Sequence, residues 1–221
     1  MSSTILVLRH GITQGNKNKW FYGGLDLPLL PEGKEALRRQ REQGFYPEVP
    51  EHVQYLTTGM LRTEETLETL FGNQEHGQIP NLREMEFGEL EGKTFDELKD
   101  EPAFVSWTYG ETGDVRFPGG ESRNDFATRI QAGIEELISL HRLKELEVRH
   151  SGRDVMTVLI CHGGVISQIM YELFPGERQD MWDLMSEPGC GYIIEMQDGR
   201  PVSNCQIGDL TIYYGEVDDR K

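Results

Sequence analysis

Two apolar runs in the chain end on the same pair of residues, a histidine followed by a glycine: Leu8-Arg9-His10-Gly11 and Ile160-Cys161-His162-Gly163. Imidazole titrates near neutral pH and serves as nucleophile, base or acid. The glycine after it lets the main chain come close to a ligand. Arg9 sets a permanent charge beside the first imidazole. Gly163-Gly164 stands where a helix can begin, with N–H groups that favour a phosphate. A lone histidine is more often a packing residue, but two in the same context, one with an arginine beside it, describe an anion site.

These residues meet only if the two runs are strands of one sheet. Thr4 to Leu8 is continuously apolar and β-branched and stops at Arg9-His10-Gly11, the pattern of a central parallel strand feeding a loop. Met156 to Cys161 repeats it, so both loops should open at the same carboxyl edge. Between them, Pro31-Glu32-Gly33 opens a helix that Gly44 closes, Val53 to Thr57 reads as a strand, and a helix carrying Leu67, Leu70 and Phe71 ends at Gly72-Asn73. Ser122 and Asp125 form a capping box before Phe126, Ile130, Ile134, Leu137 and His141, the longest helix. Val165, Ile169 and Leu173 give one face of a helix that Pro175-Gly176 stops. Tyr192 to Met196 and Val202 to Ile207, joined by Asp198-Gly199, read as a hairpin at the sheet edge.

Residues 12–30 show no period. Residues 79–121, with Gly88, Gly92, Gly110, Gly113 and Pro118-Gly119-Gly120, read as a long irregular insertion over the sheet edge and the active site. Gly215 to Lys221 reads as a frayed tail. Strands alternating with helices give an α/β fold around a mostly parallel sheet, with residues 1–221 as one domain.

The net charge of −16 repels polyanions, which argues against nucleic acid or an anionic membrane as partner and leaves a small anion held by a local basic cluster. No apolar run approaches the roughly 20 residues that span a bilayer, and the first nine residues lack the basic start of a signal peptide. Three cysteines, Cys161, Cys190 and Cys205, show no CxxC spacing, so neither a disulfide framework nor a zinc site is expected. A cytoplasmic setting follows. The Glu64-Glu65 and Asp218-Asp219 pairs read as solvated charge.

Leu8-Arg9-His10-Gly11-Ile12-Thr13 resembles the signature of the histidine phosphatase superfamily, also called phosphoglycerate-mutase-like. Phe21 to Leu29 is similar to that family's downstream loop. Thr58-Gly59-Met60-Leu61-Arg62-Thr63-Glu64-Glu65-Thr66 resembles its Ser-x-Leu-x-Arg-x-x-x-Thr segment, and Leu82 to Gly92 its acid-donor segment. Gly119-Gly120-Glu121-Ser122 and Val158 to Ile166 resemble two further blocks, in the family's order. The resemblance implies a three-layer α/β/α sandwich, a mostly parallel sheet with an antiparallel edge strand, and a metal-independent phosphatase of a small phosphomonoester, without cofactor. It makes His10 the nucleophile and Arg9, Arg62 and His162 the phosphate donors. Asn16, Gly23 and Gly163 are further phosphate neighbours, and Glu84 is the proton donor. Spacing alone leaves both Glu84 and Glu86 open, since residues two apart share a face in an extended segment; the family pattern selects Glu84.

The roles are chemically coherent. A neutral imidazole attacks phosphorus when one nitrogen is free and the other is held as N–H, and fixed arginines meet the charge of the transferring oxygens. Trp20, Phe21, Tyr22, Trp107 and Tyr109 are candidates for a pocket wall or for core caps. Cys161 stands where the family commonly has serine, and Gly189-Cys190-Gly191 replaces residues that are often polar. One alternative is a phosphoglycerate mutase, whose relatives carry more bases in the segment where this chain has Lys99 and Arg116 among Asp96, Glu97, Asp100, Glu101, Glu111 and Asp114. Another is a phospholigand-binding module without turnover. The substrate and the oligomeric state stay open.

Overall fold

The apolar, β-branched runs become the middle of a sheet whose residues face packed layers on both sides. In a computed structural model, which describes residues 2–175 and 184–207, the strands are β1 (Ser3–Arg9), β2 (His52–Thr57), β3 (His76–Gln78), β4 (Val155–Cys161), β5 (Gly191–Gln197) and β6 (Arg200–Ile207). Their order across the sheet is β3-β2-β4-β1-β5-β6. The first four run parallel, and β5 and β6 add an antiparallel hairpin. Asp198 and Gly199 turn that hairpin with φ of 50° and 71°, the left-handed pair a two-residue turn needs.

The helices are α1 (Gln14–Lys17), α2 (Pro31–Glu42), α3 (Leu61–Phe71), α4 (Phe95–Leu98), α5 (Pro102–Tyr109), α6 (Arg123–Val148) and α7 (Gly163–Leu173). Alternation along the strands sorts them into layers. Ile5, Val7, Leu159 and Cys161 pack in one cluster with Ile130 and Leu137 of α6 and Ile166 and Ile169 of α7. Leu6, Leu8, Val158 and Ile160 face the other way, against Leu37 of α2 and Leu67 and Leu70 of α3. This is a three-layer α/β/α arrangement. The Ser122 hydroxyl caps α6 by accepting from the Asp125 N–H at 3.1 Å, and each fully buried Ile or Leu of its inner face contributes about 1.5–3 kcal/mol.

Register matters most for the site. Leu8 pairs with Ile160 and Arg9 with Cys161, and the His10 N–H continues the ladder to the Cys161 carbonyl at 3.0 Å. His10 and His162 therefore leave the sheet side by side.

Three features depart from the sequence reading. Residues 79–121 are not irregular: they hold α4, α5 and 3-10 turns at Pro80–Leu82 and Gly88–Leu90. Leu82, Leu90, Leu98, Phe104 and Trp107 of this segment join the core cluster of β1, α6 and α7. The edge strand β3 was not expected, because none of its three residues is buried. Glu64 and Glu65 are not free solvated charge. Glu64 accepts from Thr57 Oγ1 at 2.7 Å and Gln78 Nε2 at 2.9 Å, tying β3 down, and Glu65 accepts from the Leu29 N–H at 2.6 Å and Lys34 Nζ at 2.7 Å. The tail at 215–221 and the Asp218-Asp219 pair lie outside the described residues. Among the described residues no helix is long and apolar enough to cross a membrane.

Candidate active site

At the carboxyl ends of β1 and β4 the imidazole rings of His10 and His162 lie with centroids 5.3 Å apart, tilted by 63°. His10 is 3% exposed. Its Nδ1 lies 2.8 Å from the Gly11 carbonyl. A carbonyl only accepts, so Nδ1 carries the proton and donates, which leaves the Nε2 lone pair unshared. The loop that presents it is itself held: the Gly11 N–H donates to Thr66 Oγ1 at 2.9 Å, and the Thr66 hydroxyl donates to the Arg62 carbonyl at 2.7 Å.

Burial holds the His10 imidazole well below its usual pKa, with the Arg62 and Arg9 charges acting in the same direction. Burial does the same to His162, reinforced by Arg62, His10 and Arg9. His162 is fully enclosed. Arg62 Nε–H donates to its Nδ1 at 3.2 Å, and its Nε2 lies 2.9 Å from Thr58 Oγ1. With Nδ1 accepting, Nε2–H is the donor to Thr58. Both nitrogens of His162 are therefore engaged within the protein, and burial disfavours its charged form.

The two arginines differ. Arg62 has no exposed surface and donates to the Leu25 and Gly23 carbonyls at 2.9 Å each, with its guanidinium 5.2 Å above the Tyr22 ring. Arg9 donates from Nη1 to the Ser186 carbonyl at 2.7 Å, while its buried Nε has no partner within the protein. Two guanidinium groups thus flank the paired imidazoles, Arg62 with the half-exposed Asp26 carboxylate 4.0 Å from its Nη1, and Arg9 supplies a permanent charge that favours an anion.

A cavity of about 560 Å³ opens on Arg9, His10, Glu84, Gly163 and Gly164. Glu84 Oε2 accepts from the Gly164 N–H at 3.0 Å, at the start of α7, and Oε1 accepts from the Met85 N–H at 3.0 Å. The structure separates the two acid candidates: Glu84 lines the cavity, whereas Glu86 is exposed and off it. Arg62, His162, Asn16 and Gly23 are not among the residues that line this cavity. Asn16 Oδ1 accepts from the Thr13 N–H and the Tyr22 hydroxyl at 2.9 Å each, closing the one-turn helix α1. The Gly23 N–H donates to Glu91 Oε1 at 2.8 Å; a Cβ there would lie 1.8 Å from the Met85 carbonyl oxygen, which is why the position is glycine.

Trp20, Phe21, Tyr22 and Trp107 line the cavity, while Tyr109 is 69% exposed and does not. Cys161 and Cys190 are buried free thiols. Burial raises the Cys161 thiol far above its usual range and pushes that of Cys190 up to about 11. Neither is poised as a thiolate nucleophile.

Sequence reasoning missed the group that positions Glu84. Arg129 Nε and Nη2 form a fork on the Glu121 carboxylate at 2.7 and 2.6 Å, and Nη1 donates to the Asn81 and Arg83 carbonyls at 2.8 and 2.9 Å. The Glu86 N–H donates to Glu121 at 3.0 Å. This clamp fixes residues 81–86 against α6. Glu121 lay within a recognised block, but its partner eight residues later on a helix carried no signal of its own. Glu91 was also missed: it accepts from the N–H groups of Gly23 and Gly24 at 2.8 and 2.9 Å and so sets the loop that Arg62 binds.

The buried histidines make stability depend on pH. His141, in the core below the sheet, is also lowered by burial, with Glu145 opposing; its Nδ1 and Nε2 lie 2.8 Å from Thr157 Oγ1 and Ser3 Oγ. In the unfolded chain each imidazole takes a proton near pH 6.5. Below that pH the unfolded state binds more protons than the folded one, so stability falls as the pH drops, by roughly 1 kcal/mol per pH unit for each histidine that stays neutral. Urea titrations at pH 7.5, 6 and 5, above the range where carboxylates protonate, should show this loss. Equal stability at all three would mean that the imidazoles are not held neutral.

The chain belongs to the histidine phosphatase superfamily (branch 1), whose sequence profile matches residues 5–206. It is 30% identical over 139 residues to the "Probable phosphoglycerate mutase GpmB" of Enterobacter sp. (strain 638), covering 62% of this chain and 63% of that one. It is 27% identical over 180 residues to the sedoheptulose 1,7-bisphosphatase of Saccharomyces cerevisiae, covering 72% and 62%. The matched part thus spans a little under two thirds of these relatives' length. The crystal structure of a phosphoglycerate mutase from Thermus thermophilus superposes with a TM-score of 0.63 at 26% identity, covering 93% of this chain and 99% of that one.

Proposed function

We propose that the chain hydrolyses a small phosphomonoester through a phosphohistidine on His10. The observation that carries this reading is the His10 ring: Nδ1–H is tied to the Gly11 carbonyl, which leaves Nε2 free on a residue that lines the cavity together with Arg9. In the first step Nε2 attacks phosphorus, the bond from phosphorus to the leaving oxygen breaks, and Glu84 gives that oxygen a proton. In the second, water attacks the phosphohistidine, Glu84 takes the water's proton, phosphate leaves and His10 is restored. Arg9 meets the charge on the phosphoryl oxygens directly. Arg62 acts from behind, through its charge and by holding His162 and the Gly23–Leu25 loop.

The acidic Thr94–Gly120 segment favours water over a second phosphorylated ligand as acceptor, which supports hydrolysis over mutase chemistry. The charge of −16 argues against nucleic acid and membrane partners, and the free thiols suit a cytoplasmic setting.

In this mechanism guanidinium groups do the work that metal ions do in two-metal phosphatases. Among the described residues no three His, Cys, Asp or Glu side chains are grouped to hold a metal ion. Phosphate release from p-nitrophenyl phosphate should therefore continue unchanged in excess EDTA. Loss on chelation with recovery on adding magnesium or manganese would overturn the mechanism.

A further inference from the structure

The cavity extends past the phosphate residues onto a wall that no catalytic step uses. There Trp107 Nε1, Thr108 Oγ1, Arg123 Nε and Ser167 Oγ are buried polar atoms with no hydrogen-bond partner within the protein. Trp107 is 5% and Ser167 1% exposed. Buried polar atoms are almost always paired, and four residues that border this cavity each leave one unpaired. Arg123 stands out among its neighbours. Arg116 and Arg129 pair with Asp125 and Glu121, whereas Arg123, at the start of α6, donates only to the Gly110 carbonyl and pairs with no carboxylate among the described residues.

Aromatic rings make up part of the same lining, beside the polar Asn124 and Gln168. Trp107 meets the rings of Phe21 and Phe87 at 6.3 and 6.0 Å between centroids, and Trp20 and Phe126 complete the surface. Such rings bind a flat apolar group by its faces and edges. The indole and guanidinium N–H groups donate and never accept, so they require an acceptor, and the permanent charge of Arg123 favours an anionic one. Glu111 and Glu172 also border the cavity, but both are exposed, where water screens them.

Building on the phosphatase reading, we propose that this wall selects the alcohol part of the substrate. It takes a planar, apolar ring that carries a carboxylate, bound by Arg123 and the Trp107 N–H. A polyol phosphate would leave the aromatic faces without a matching surface.

Binding of hydrolysis-proof phosphonates separates this inference from the proposed catalysis. The probes are 2-phenylethylphosphonate, its para-carboxylate, and 3,4-dihydroxybutylphosphonate, measured by calorimetry on the full chain. The phenyl compound should bind roughly tenfold tighter than the diol, and the carboxylate should add about tenfold more. Arg123→Met should erase the carboxylate's gain. Trp107→Phe, which keeps a ring and removes the N–H, should reduce that gain about threefold and serves if the arginine variant does not fold. A carboxylate gain that is absent in the wild type or survives in both variants would overturn the inference, as would a diol that binds as tightly as the phenyl compound. Failure of phosphomonoester hydrolysis, with these binding ratios intact, would instead overturn the catalytic reading alone.

Discussion

Replacing His10 with alanine should remove both turnover and the covalent intermediate, lowering kcat by roughly 10⁴-fold or more, as loss of a covalent nucleophile does elsewhere. The surroundings offer no substitute. His162 is the nearest imidazole at 5.3 Å, but its nitrogens are committed to Arg62 and Thr58. Cys161 is a buried thiol whose ionisation burial opposes. Ser122 caps α6 through its hydroxyl. Rapid quench of the wild type with labelled substrate should trap an acid-labile, base-stable adduct on His10, and the alanine variant should trap none. Removing the ring leaves space at a buried position, so the variant's melting temperature must be measured alongside. An adduct on any other residue, or residual turnover above about one per cent in a folded variant, would refute the assignment.

The chemistry of this site was legible because it sits on the most regular part of the chain. β1 and β4 are buried on both faces, so Ile5 to Leu8 and Val158 to Cys161 are unbroken apolar runs, and the His-Gly pairs lie just past where those runs end. The start of α6 was equally legible, since a capping box precedes a stripe from Phe126 to His141, though the helix runs on to Val148. The segment at 79–121 was not. Its helices span four and eight residues, too short for a 3.6-residue period to emerge, and Pro80 and Pro102 open turns that also read as breakers. Its apolar residues gain meaning only from the sheet face they cover. The roles of single side chains were the least legible. Gly23 sits in a recognisable block and Asn16 between two, yet their polar atoms close local loops. His162 has the residue type of a phosphate donor, and its place between Arg62 and Thr58, where it orders the arginine, carried no signal in the sequence. Which nitrogen points where depends on partners distant in sequence, Arg62 being 100 residues from His162.

Substituting Glu84 by glutamine should slow the reaction by an amount set by the leaving group. A general acid contributes 10²–10⁴-fold, about 3–5 kcal/mol, only where the departing oxygen needs a proton in the transition state. An alkoxide needs it and nitrophenolate hardly does. Phosphoenzyme formation from an alkyl phosphate should therefore fall by roughly 10²-fold or more in the variant, and that from p-nitrophenyl phosphate by less than about tenfold. Glutamine keeps the size of the side chain, and the Arg129–Glu121 clamp that fixes residues 81–86 does not involve the Glu84 carboxylate. The amide can still accept from one of the two N–H groups, of Gly164 and Met85, that the carboxylate now holds; the lost contact acts on both substrates alike, so the ratio of the two rates isolates the proton. Single-turnover measurement is required, because steady-state rates include dephosphorylation, in which Glu84 serves as base. Glu86 provides the control. It is exposed and off the cavity, so Glu86→Gln should change both rates by less than about tenfold and leave their ratio intact. If Glu86→Gln shows the leaving-group-dependent defect and Glu84→Gln does not, the cavity-facing carboxylate is not the proton donor and the geometry at Gly164 is structural.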